Sequence, residues 1–246
     1  MAEQKPKTQD WANIIKLVKT YVVKIMTPDG FGTGFLVTHT KSKKLVGIAT
    51  AFHVIEQAYL CKQPIRIRHE KSGKEVFLTD ADRAIYAYSD SDTAAIVFPK
   101  GDIPFPADAL PLTDEGYYLR IGKEVGWLGY PVMASTNLCF FSGRLSCWES
   151  DQKFYFVDGV AINGVSGGPV FYEYRDGQTR YIGFVSAYLP NRATGSTLPG
   201  LCIVRSVASL YDTIKSLNSL EDAKEEAPPP PDPKQNEPSS STPKAP

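Results

Sequence analysis

Three residues whose side chains can together break an acyl bond occur along the chain in the order His53, Asp92 and Ser166. A serine hydroxyl is a poor nucleophile at neutral pH, so it needs a base beside it and hydrogen-bond donors for the oxyanion. Ser166 lies in the hexamer Gly-Val-Ser-Gly-Gly-Pro at 164–169. Its glycines let the backbone turn sharply, which leaves the N–H groups of Gly164 and Ser166 free to point at one spot. The pattern predicts nucleophilic acyl chemistry.

Each of these residues stands at the edge of an apolar run. His53 follows Gly-Ile-Ala-Thr-Ala-Phe at 47–52, and Asp92 opens Thr-Ala-Ala-Ile-Val-Phe at 93–98. Taken singly, the histidine could be structural, the aspartate a turn or cap residue, and the serine hexamer a loop. The chain order histidine, aspartate, serine is that of chymotrypsin-like enzymes and differs from the order in subtilisins and α/β-hydrolases. The ordered set therefore predicts a catalytic triad.

The same segments resemble those of trypsin-like serine peptidases, and most closely the protease domain of the HtrA (Deg) group. The resemblance spans roughly residues 18 to 216. It rests on Phe-Gly-Thr-Gly-Phe at 31–35, Thr-Ala-Phe-His-Val at 50–54, Asp-Thr-Ala-Ala-Ile-Val at 92–97, Val-Gly-Trp-Leu-Gly-Tyr-Pro at 125–131, Phe-Ser-Gly-Arg-Leu-Ser at 141–146, the stretch 158–170 around the serine, and Tyr-Ile-Gly-Phe-Val-Ser at 181–186. HtrA proteins usually carry a PDZ module after the protease domain, and we expect none in this chain.

The resemblance implies a role for each candidate residue. Ser166 is expected to be the nucleophile, His53 the general base and then the general acid, and Asp92 the partner that orients His53. The amides of Gly164 and Ser166 would form the oxyanion hole. Asp90 competes with Asp92, but the family motif runs Asp-x-Ala-x into a strand, as residues 92–95 do. The predicted function is a serine endopeptidase acting on protein or peptide substrates. The alternative is a latent or inactive protease-like binding or scaffold module switched by a partner.

Substrate preference is predicted from four positions. By spacing, the base of the primary (P1) pocket is near Val160, an uncharged residue. The segment Ser186, Ala187 and Tyr188 resembles the one that lines this pocket and pairs with the substrate backbone. Because Tyr188 stands where a glycine would leave the pocket open, we expect small or medium apolar P1 residues. Ser186 is also a candidate hydrogen-bond partner of the Asp92 carboxylate.

Activation by N-terminal cleavage is not expected. Digestive trypsin relatives have an aspartate directly before the serine, and it pairs with the new N-terminus. Here that residue is Val165, which cannot form such a pair. We therefore expect the domain either to fold active or to be switched by ordering of loops.

Composition narrows the function classes and the compartment. The chain has 246 residues, 42% of them apolar, and a net charge of zero, which argues against a nucleic-acid or membrane-surface role. With no signal peptide recognisable and without the cysteines of secreted relatives, we expect a cytoplasmic protein with reduced thiols. Cys139 and Cys147 flank a predicted hairpin and could pair.

No metal or organic cofactor is expected. The other histidines, His39 and His69, are expected at the surface, and the oligomeric state is left open.

Short apolar, β-branched runs recur in two series that are separated by a polar, proline-bearing stretch at 99–116. They predict an all-β protein. The resemblance implies that these strands form two six-stranded antiparallel β-barrels of the chymotrypsin-like kind. The barrels are expected at about 20–98 and 117–205, within a domain that spans 20–218. A helical lead-in at 1–19 and a closing helix at 206–217 flank them. Residues 219–246 are acidic and proline-rich, so we expect a disordered tail that is either a solvated spacer or a docking site for a partner.

Overall fold

The computed structural model describes residues 10–174, 177–191 and 198–226. Within them the chain forms three α-helices and thirteen strands, joined by loops and short 3-10 turns. The elements are α1 (Trp11–Val18), β1 (Val22–Thr27), β2 (Gly30–His39), β3 (Leu45–Ala51), α2 (Phe52–Leu60), β4 (Ile65–His69), β5 (Glu75–Leu78), β6 (Ala84–Tyr88), β7 (Thr93–Pro99), β8 (Glu124–Gly129), β9 (Cys139–Glu149), β10 (Phe154–Asp158), β11 (Pro169–Glu173), β12 (Thr179–Asn191), β13 (Leu198–Ser206) and α3 (Ala208–Glu226).

The strands form two antiparallel units, one from each half of the chain. Strands β10, β13, β12, β11, β8 and β9 close into a six-stranded barrel. The N-terminal unit is a curved sheet of seven strands in the order β5-β4-β1-β2-β3-β7-β6. The all-β, chymotrypsin-like architecture predicted from the sequence is confirmed, and the first unit differs from a closed six-stranded barrel in its strand count and its opening.

A buried arginine occupies this opening. Strands β5 and β6 are consecutive, and the Arg83 guanidinium just before β6 donates hydrogen bonds to the carbonyl oxygens of Leu78, Ala58 and Gln63 at 3.0, 3.2 and 2.6 Å. Only 1% of the Arg83 side chain is exposed. These bonds attach the start of β6 to the end of β5 and to the region of α2.

The N-terminal helix ties the two units together. Val18 of α1 is fully buried in the N-terminal core. At the other end of the helix, the Trp11 ring packs on Phe140 and Phe171 of the barrel with centroids 5.1 and 6.0 Å apart. Its Nε1–H donates to the Glu124 carboxylate at 3.1 Å. The helix therefore packs against both units. Residues 1–9 lie outside the described part.

The C-terminal helix packs on the junction of the units. Val207, Leu210 and Leu217 are buried, and the Tyr211 hydroxyl donates to the Thr113 carbonyl at 2.8 Å. The backbone remains helical to Glu226, so the helix is longer than the predicted 206–217 and includes the first part of the tail. The rest of the predicted tail, 227–246, lies outside the described residues. In the described part no helix is long and apolar enough to cross a membrane.

The predicted hairpin between Cys139 and Cys147 is wrong. Both residues lie on the single strand β9, whose first half pairs with β8 and whose second half pairs with β10, with one register shift between Cys147 and Leu145. Eight residues of extended chain separate them by roughly 26 Å, far beyond the reach of a disulfide. All four cysteines are free thiols.

The prediction that His69 and His39 are surface residues is also wrong. His69 is fully buried; its Nε2–H donates to the Thr20 carbonyl and its Nδ1 accepts from the Ser72 hydroxyl, both at 2.9 Å. Burial lowers its pKa, although its hydrogen bond to Thr20 opposes this. Strand β4 alternates buried and exposed positions, which puts His69 on the same face as Ile65 and Ile67. His39 is half-buried beside the Pro106 carbonyl, with which its Nε2 forms a 2.9 Å hydrogen bond.

Candidate active site

Strand register brings His53 next to Asp92. The last residue of β3, Ala51, pairs with the first residue of β7, Thr93. His53 follows β3 as the second residue of α2, and Asp92 directly precedes β7. The His53 Nδ1–H donates to both carboxylate oxygens of Asp92 at 3.0 and 2.9 Å. With its proton on Nδ1, His53 has a free acceptor at Nε2, which is what a general base requires.

Asp92 also serves as the N-terminal cap of helix α2. The residue preceding the helix is Ala51, whose side chain cannot cap it. Instead, the Asp92 carboxylate accepts the backbone N–H of His53 at 3.0 Å, and the Asp92 carbonyl accepts that of Phe52 at 3.0 Å. A carboxylate at this place accepts hydrogen bonds from amides that have no partner within the helix. Its negative charge also interacts favourably with the positive end of the helix dipole. The helix that carries the histidine is thus anchored to the aspartate through its backbone as well as through the imidazole.

The Asp92 backbone is left-handed, with φ +48° and ψ +40°. Aspartate tolerates this region better than most residues. The conformation follows a 3-10 turn at Ser89–Ser91 and redirects the chain into β7. It lets the carbonyl and the carboxylate of one residue both face α2.

A buried serine completes the surroundings of the aspartate. The Ser186 hydroxyl on β12 donates to the Asp92 carboxylate at 2.5 Å, as expected from the sequence. Burial by itself would raise the pKa of Asp92, but the hydrogen bonds from His53 and Ser186 bring it below its ordinary value. Conversely, the hydrogen bond to Asp92 raises the pKa of His53 despite partial burial. The charge distribution therefore favours an ionised aspartate and stabilises an imidazolium when His53 takes a proton.

Ser166 lies in the loop between β10 and β11, which is tied to both units. From the barrel, the Gly167 N–H donates to the Val185 carbonyl at 2.6 Å and the Val185 N–H donates to the Gly168 carbonyl at 2.9 Å. From the N-terminal sheet, the Thr33 N–H donates to the Ser166 carbonyl at 2.9 Å. The Ser166 Oγ makes a long contact of 3.4 Å with the Ser186 carbonyl oxygen.

The carbonyls of this loop are held so that two amides face away from the protein interior. The Asn163 carbonyl accepts the Val132 N–H at 2.8 Å, and the Val165 carbonyl accepts the Gly168 N–H at 2.9 Å. In a trans peptide the N–H points opposite to the carbonyl. The N–H groups of Gly164 and Ser166, which follow these two carbonyls, are thereby turned the other way. This orientation is compatible with the predicted oxyanion hole, which needs both amides turned toward the cleft.

A cleft of about 260 Å³ contains the predicted nucleophile, base and oxyanion donors together: it is lined by His53, Ser166 and Gly164, with Asn163 beside them. Its other wall is formed by the β1–β2 hairpin and the first turns of α2, namely Thr27, Asp29, Gly30, Phe31, Val54 and Gln57. Of the predicted site residues, the lining does not include Val160, Ser186, Ala187 or Tyr188. Val160, in the loop after β10, is 51% exposed.

The predicted substrate strand lies on the other side of Ser166. Ala187 and Tyr188 follow Ser186 on β12, where they pair with Ile203 and Cys202 of β13. Ala187 is exposed and Tyr188 half-buried.

A larger cavity, about 640 Å³, lies behind the Asp92 loop. Ser91 and Thr93, which flank Asp92, line it together with Asp90, and Arg205 and Ser209 line its far side. None of the three triad residues is in its lining. The structure thus separates Asp90, which faces this cavity, from Asp92, which faces His53, and agrees with the choice of Asp92.

Two further residues bear on the site. Val165, where digestive relatives have an aspartate, is fully buried in the barrel core, so the loop is held by apolar packing. Thr33 of β2 contacts the serine loop, and sequence reasoning missed it. The available signal was a threonine between two glycines, Gly32 and Gly34, within a strand.

Comparison with known structures shows that the fold recurs in other proteins. The chain is similar to Deg5, with 18% identity, a TM-score of 0.62, and coverage of 89% of this chain and 99% of that one. It is similar to a serine endoprotease from Yersinia pestis, with 17% identity, a TM-score of 0.62, and coverage of 88% and 68%. It also matches an inactive serine-to-alanine mutant of Rv3671c from Mycobacterium tuberculosis H37Rv, with 17% identity, a TM-score of 0.57, and coverage of 89% and 96%.

Among curated proteins no sequence matches significantly. The sequence pattern of the family described as trypsin-like peptidase domain matches residues 32–179, more than half of the chain. That stretch includes all three candidate catalytic residues and most of both β units. The chain therefore belongs to the trypsin-like peptidase domain family, and its fold is that of the HtrA and Deg proteases.

Proposed function

We propose that the protein is a serine endopeptidase that cleaves peptide bonds through an acyl-enzyme. Ser166 Oγ attacks the scissile carbonyl, and His53 Nε2 takes its proton and later gives it to the leaving amine. Asp92 holds His53 in the required tautomer and stabilises the imidazolium. The N–H groups of Gly164 and Ser166 bind the oxyanion of the tetrahedral intermediate.

One observation carries this proposal above the others. His53 is bonded through Nδ1 to a carboxylate that Ser186 also holds, and the same imidazole lines a cleft with Ser166 and Gly164. A histidine at a strand end or a serine in a glycine-rich loop that had only a structural role would not need this combination of contacts. An oriented base, a serine and two free amides in one cleft are what acyl transfer needs.

The test is labelling of purified protein with a fluorophosphonate probe, which phosphonylates only a serine that is activated by a base and faces an oxyanion site. Wild type is expected to label and Ser166→Ala is expected not to, because the alanine offers no oxygen to the probe. Labelling that survives the substitution would place the reactive group elsewhere and contradict the assignment.

A second candidate is a latent or scaffold module, and the orientation of Ser166 favours it. The Ser166 Oγ contacts the Ser186 carbonyl, and within the described part of the chain its hydroxyl makes no hydrogen bond to His53. Rotation about one side-chain torsion would exchange the two arrangements. Folded wild type that remains unlabelled alone, and becomes labelled when a partner is added, would identify the latent form.

We further propose that uncharged P1 residues of small or medium size are preferred. Val160 is uncharged, and Tyr188 stands where a glycine would leave the pocket open. Because Val160 is half exposed, a charge placed there needs little desolvation. Val160→Asp is expected to raise the kcat/KM for Lys and Arg substrates relative to Ala and Val substrates, as measured with a peptide library. An unchanged profile would show that Val160 is not at the base of the pocket.

A further inference from the structure

Thr33 is the point where the N-terminal sheet holds the loop that carries the nucleophile. It lies on β2 and is fully buried. Its hydroxyl donates to the Gly164 carbonyl at 3.0 Å and accepts the Tyr130 N–H at 3.1 Å. Its own N–H donates to the Ser166 carbonyl at 2.9 Å. One residue thus bonds both oxyanion-hole residues from behind.

The contact is tight enough to leave no room for other groups. A Cβ at Gly167 would lie 2.1 Å from the Thr33 carbonyl oxygen, and one at Gly32 would lie 3.1 Å from the Ser166 carbonyl oxygen. The Thr33 carbonyl is itself fixed by the Thr50 hydroxyl, which donates to it at 2.7 Å. The backbones of β2 and of the loop are therefore in direct contact, and Thr33 cannot shift without moving the loop.

The direction of the Gly164 amide depends on these bonds. Gly164 has φ +90°, a conformation that glycine can leave freely. The carbonyl of the preceding residue, Asn163, accepts a hydrogen bond from the Val132 N–H. The carbonyl of Gly164 itself accepts one from the Thr33 hydroxyl. Holding the carbonyls on both sides of Gly164 fixes both its peptide planes. Without the Thr33 hydroxyl, the second plane keeps only the hydrogen bond from the Val165 N–H to the Ile162 carbonyl at 3.0 Å, so the restraint on Gly164 is weaker.

We propose that Thr33 is a positioning residue that keeps the oxyanion hole open by holding the Gly164 carbonyl through its hydroxyl. This role rests on the proposed function, because it matters for catalysis only if the Gly164 and Ser166 amides bind an oxyanion. Its structural part, the restraint of the 162–168 loop, can be measured independently of activity. The hydroxyl acts as both acceptor and donor, linking the Tyr130 amide to the Gly164 carbonyl.

The experiment compares three variants. Thr33→Val keeps the shape and removes the hydroxyl, and Thr33→Ser keeps the hydroxyl. Thr38→Val makes the same change on the same strand, where, among the residues that the structure describes, the Thr38 hydroxyl donates to the neighbouring His39 carbonyl. Two quantities are measured for each: amide hydrogen exchange of Val165 and Gly168 relative to that of core strand amides, and the rate of fluorophosphonate labelling.

Thr33→Val is expected to speed exchange of the two loop amides about tenfold, because a buried hydrogen bond to the loop is lost. It is expected to slow labelling about ten- to hundredfold, somewhat less than complete loss of one oxyanion donor. Thr33→Ser is expected to stay within a few-fold of wild type in both quantities, and Thr38→Val to match wild type.

The outcomes separate this proposal from the proposed function. Unchanged loop exchange in Thr33→Val, or labelling at the wild-type rate, would overturn the role of Thr33 and leave the protease assignment standing. If wild type does not label at all, the exchange data alone decide whether Thr33 restrains the loop. Should Thr33→Val fail to fold, Thr33→Cys replaces it; the thiol is a weak donor and acceptor, so the same effects should occur at a smaller size.

Discussion

Replacing Asp92 by asparagine is expected to lower kcat/KM for peptide hydrolysis about 10⁴-fold at neutral pH. The Asp92 carboxylate now accepts hydrogen bonds from the His53 imidazole, the His53 amide and the Ser186 hydroxyl. An asparagine has one carbonyl oxygen, so it can keep either the bond from the His53 amide to Oδ1 or the bond from the Ser186 hydroxyl to Oδ2. In either case its NH₂ group takes the place of an oxygen that contacts the ring. That group is a donor, so it would force the tautomer with the proton on Nε2. His53 could then no longer take the proton of Ser166.

Asp90→Asn is the matched control for this prediction. Asp90 is the same residue type two positions earlier in the same loop, but it is exposed and lines the cavity away from His53. Its substitution is expected to leave kcat/KM within a few-fold of wild type. Equal losses in both variants would mean that the loop as a whole, rather than the Asp92 carboxylate, is needed for activity.

The pH profile gives a second readout of the same pair. Catalysis needs neutral His53, so kcat/KM falls as the pH drops through the pKa of this residue. The hydrogen bond to ionised Asp92 raises that pKa in the wild type, so activity is lost from a higher pH than for a free histidine. In Asp92→Asn the charged form loses its partner, and the residual activity should persist to lower pH. An acid limb that does not move would contradict the coupling of the two residues.

The sequence was sufficient for the architecture because strand patterns are local, and the triad stays a prediction that also depends on local patterns. Alternation and turn residues mark strands, and the segments around His53, Asp92 and Ser166 are short motifs whose chain order is informative. The Ser186–Asp92 hydrogen bond was also predicted, from the resemblance of residues 185–188 to a known segment. The structure joins His53 and Ser186 to Asp92 by hydrogen bonds and brings His53 and Ser166 into one cleft.

What escaped sequence reasoning depends on long-range pairing. The role of Thr33 requires knowing that β2 contacts the loop after β10, more than a hundred residues further along the chain. The contacts of Arg83 likewise join three separate segments, because its guanidinium bonds the carbonyls of Leu78, Ala58 and Gln63. Cys139 and Cys147 were assigned to a hairpin because a long strand such as β9 carries the same polar interruptions as a turn. His69 could have been placed correctly, since the two-residue period of β4 already puts it on the buried face.

Gly164→Ala tests the oxyanion hole directly, with an expected loss of about 10²- to 10³-fold in kcat/KM. An alanine Cβ here would lie 2.3 Å from the Tyr130 carbonyl oxygen and 2.8 Å from the Phe31 ring. The carbonyl belongs to the backbone, so the loop rather than Tyr130 must move, and the Gly164 N–H moves with it. Because this amide acts on the transition state more than on bound substrate, kcat should fall about as much as kcat/KM.

Gly122→Ala separates the loss of the amide from the cost of the backbone conformation. Gly122 has φ +85°, close to the +90° of Gly164, but a Cβ there meets nothing within 4 Å. Both alanines carry left-handed strain on the order of 1 kcal/mol, which should lower the melting temperature of both variants. Only Gly164→Ala should lose activity, since only there does the new atom displace the loop. Full activity in a folded Gly164→Ala protein would show that its amide is not an oxyanion donor, and would leave that role to Ser166 and groups yet to be found.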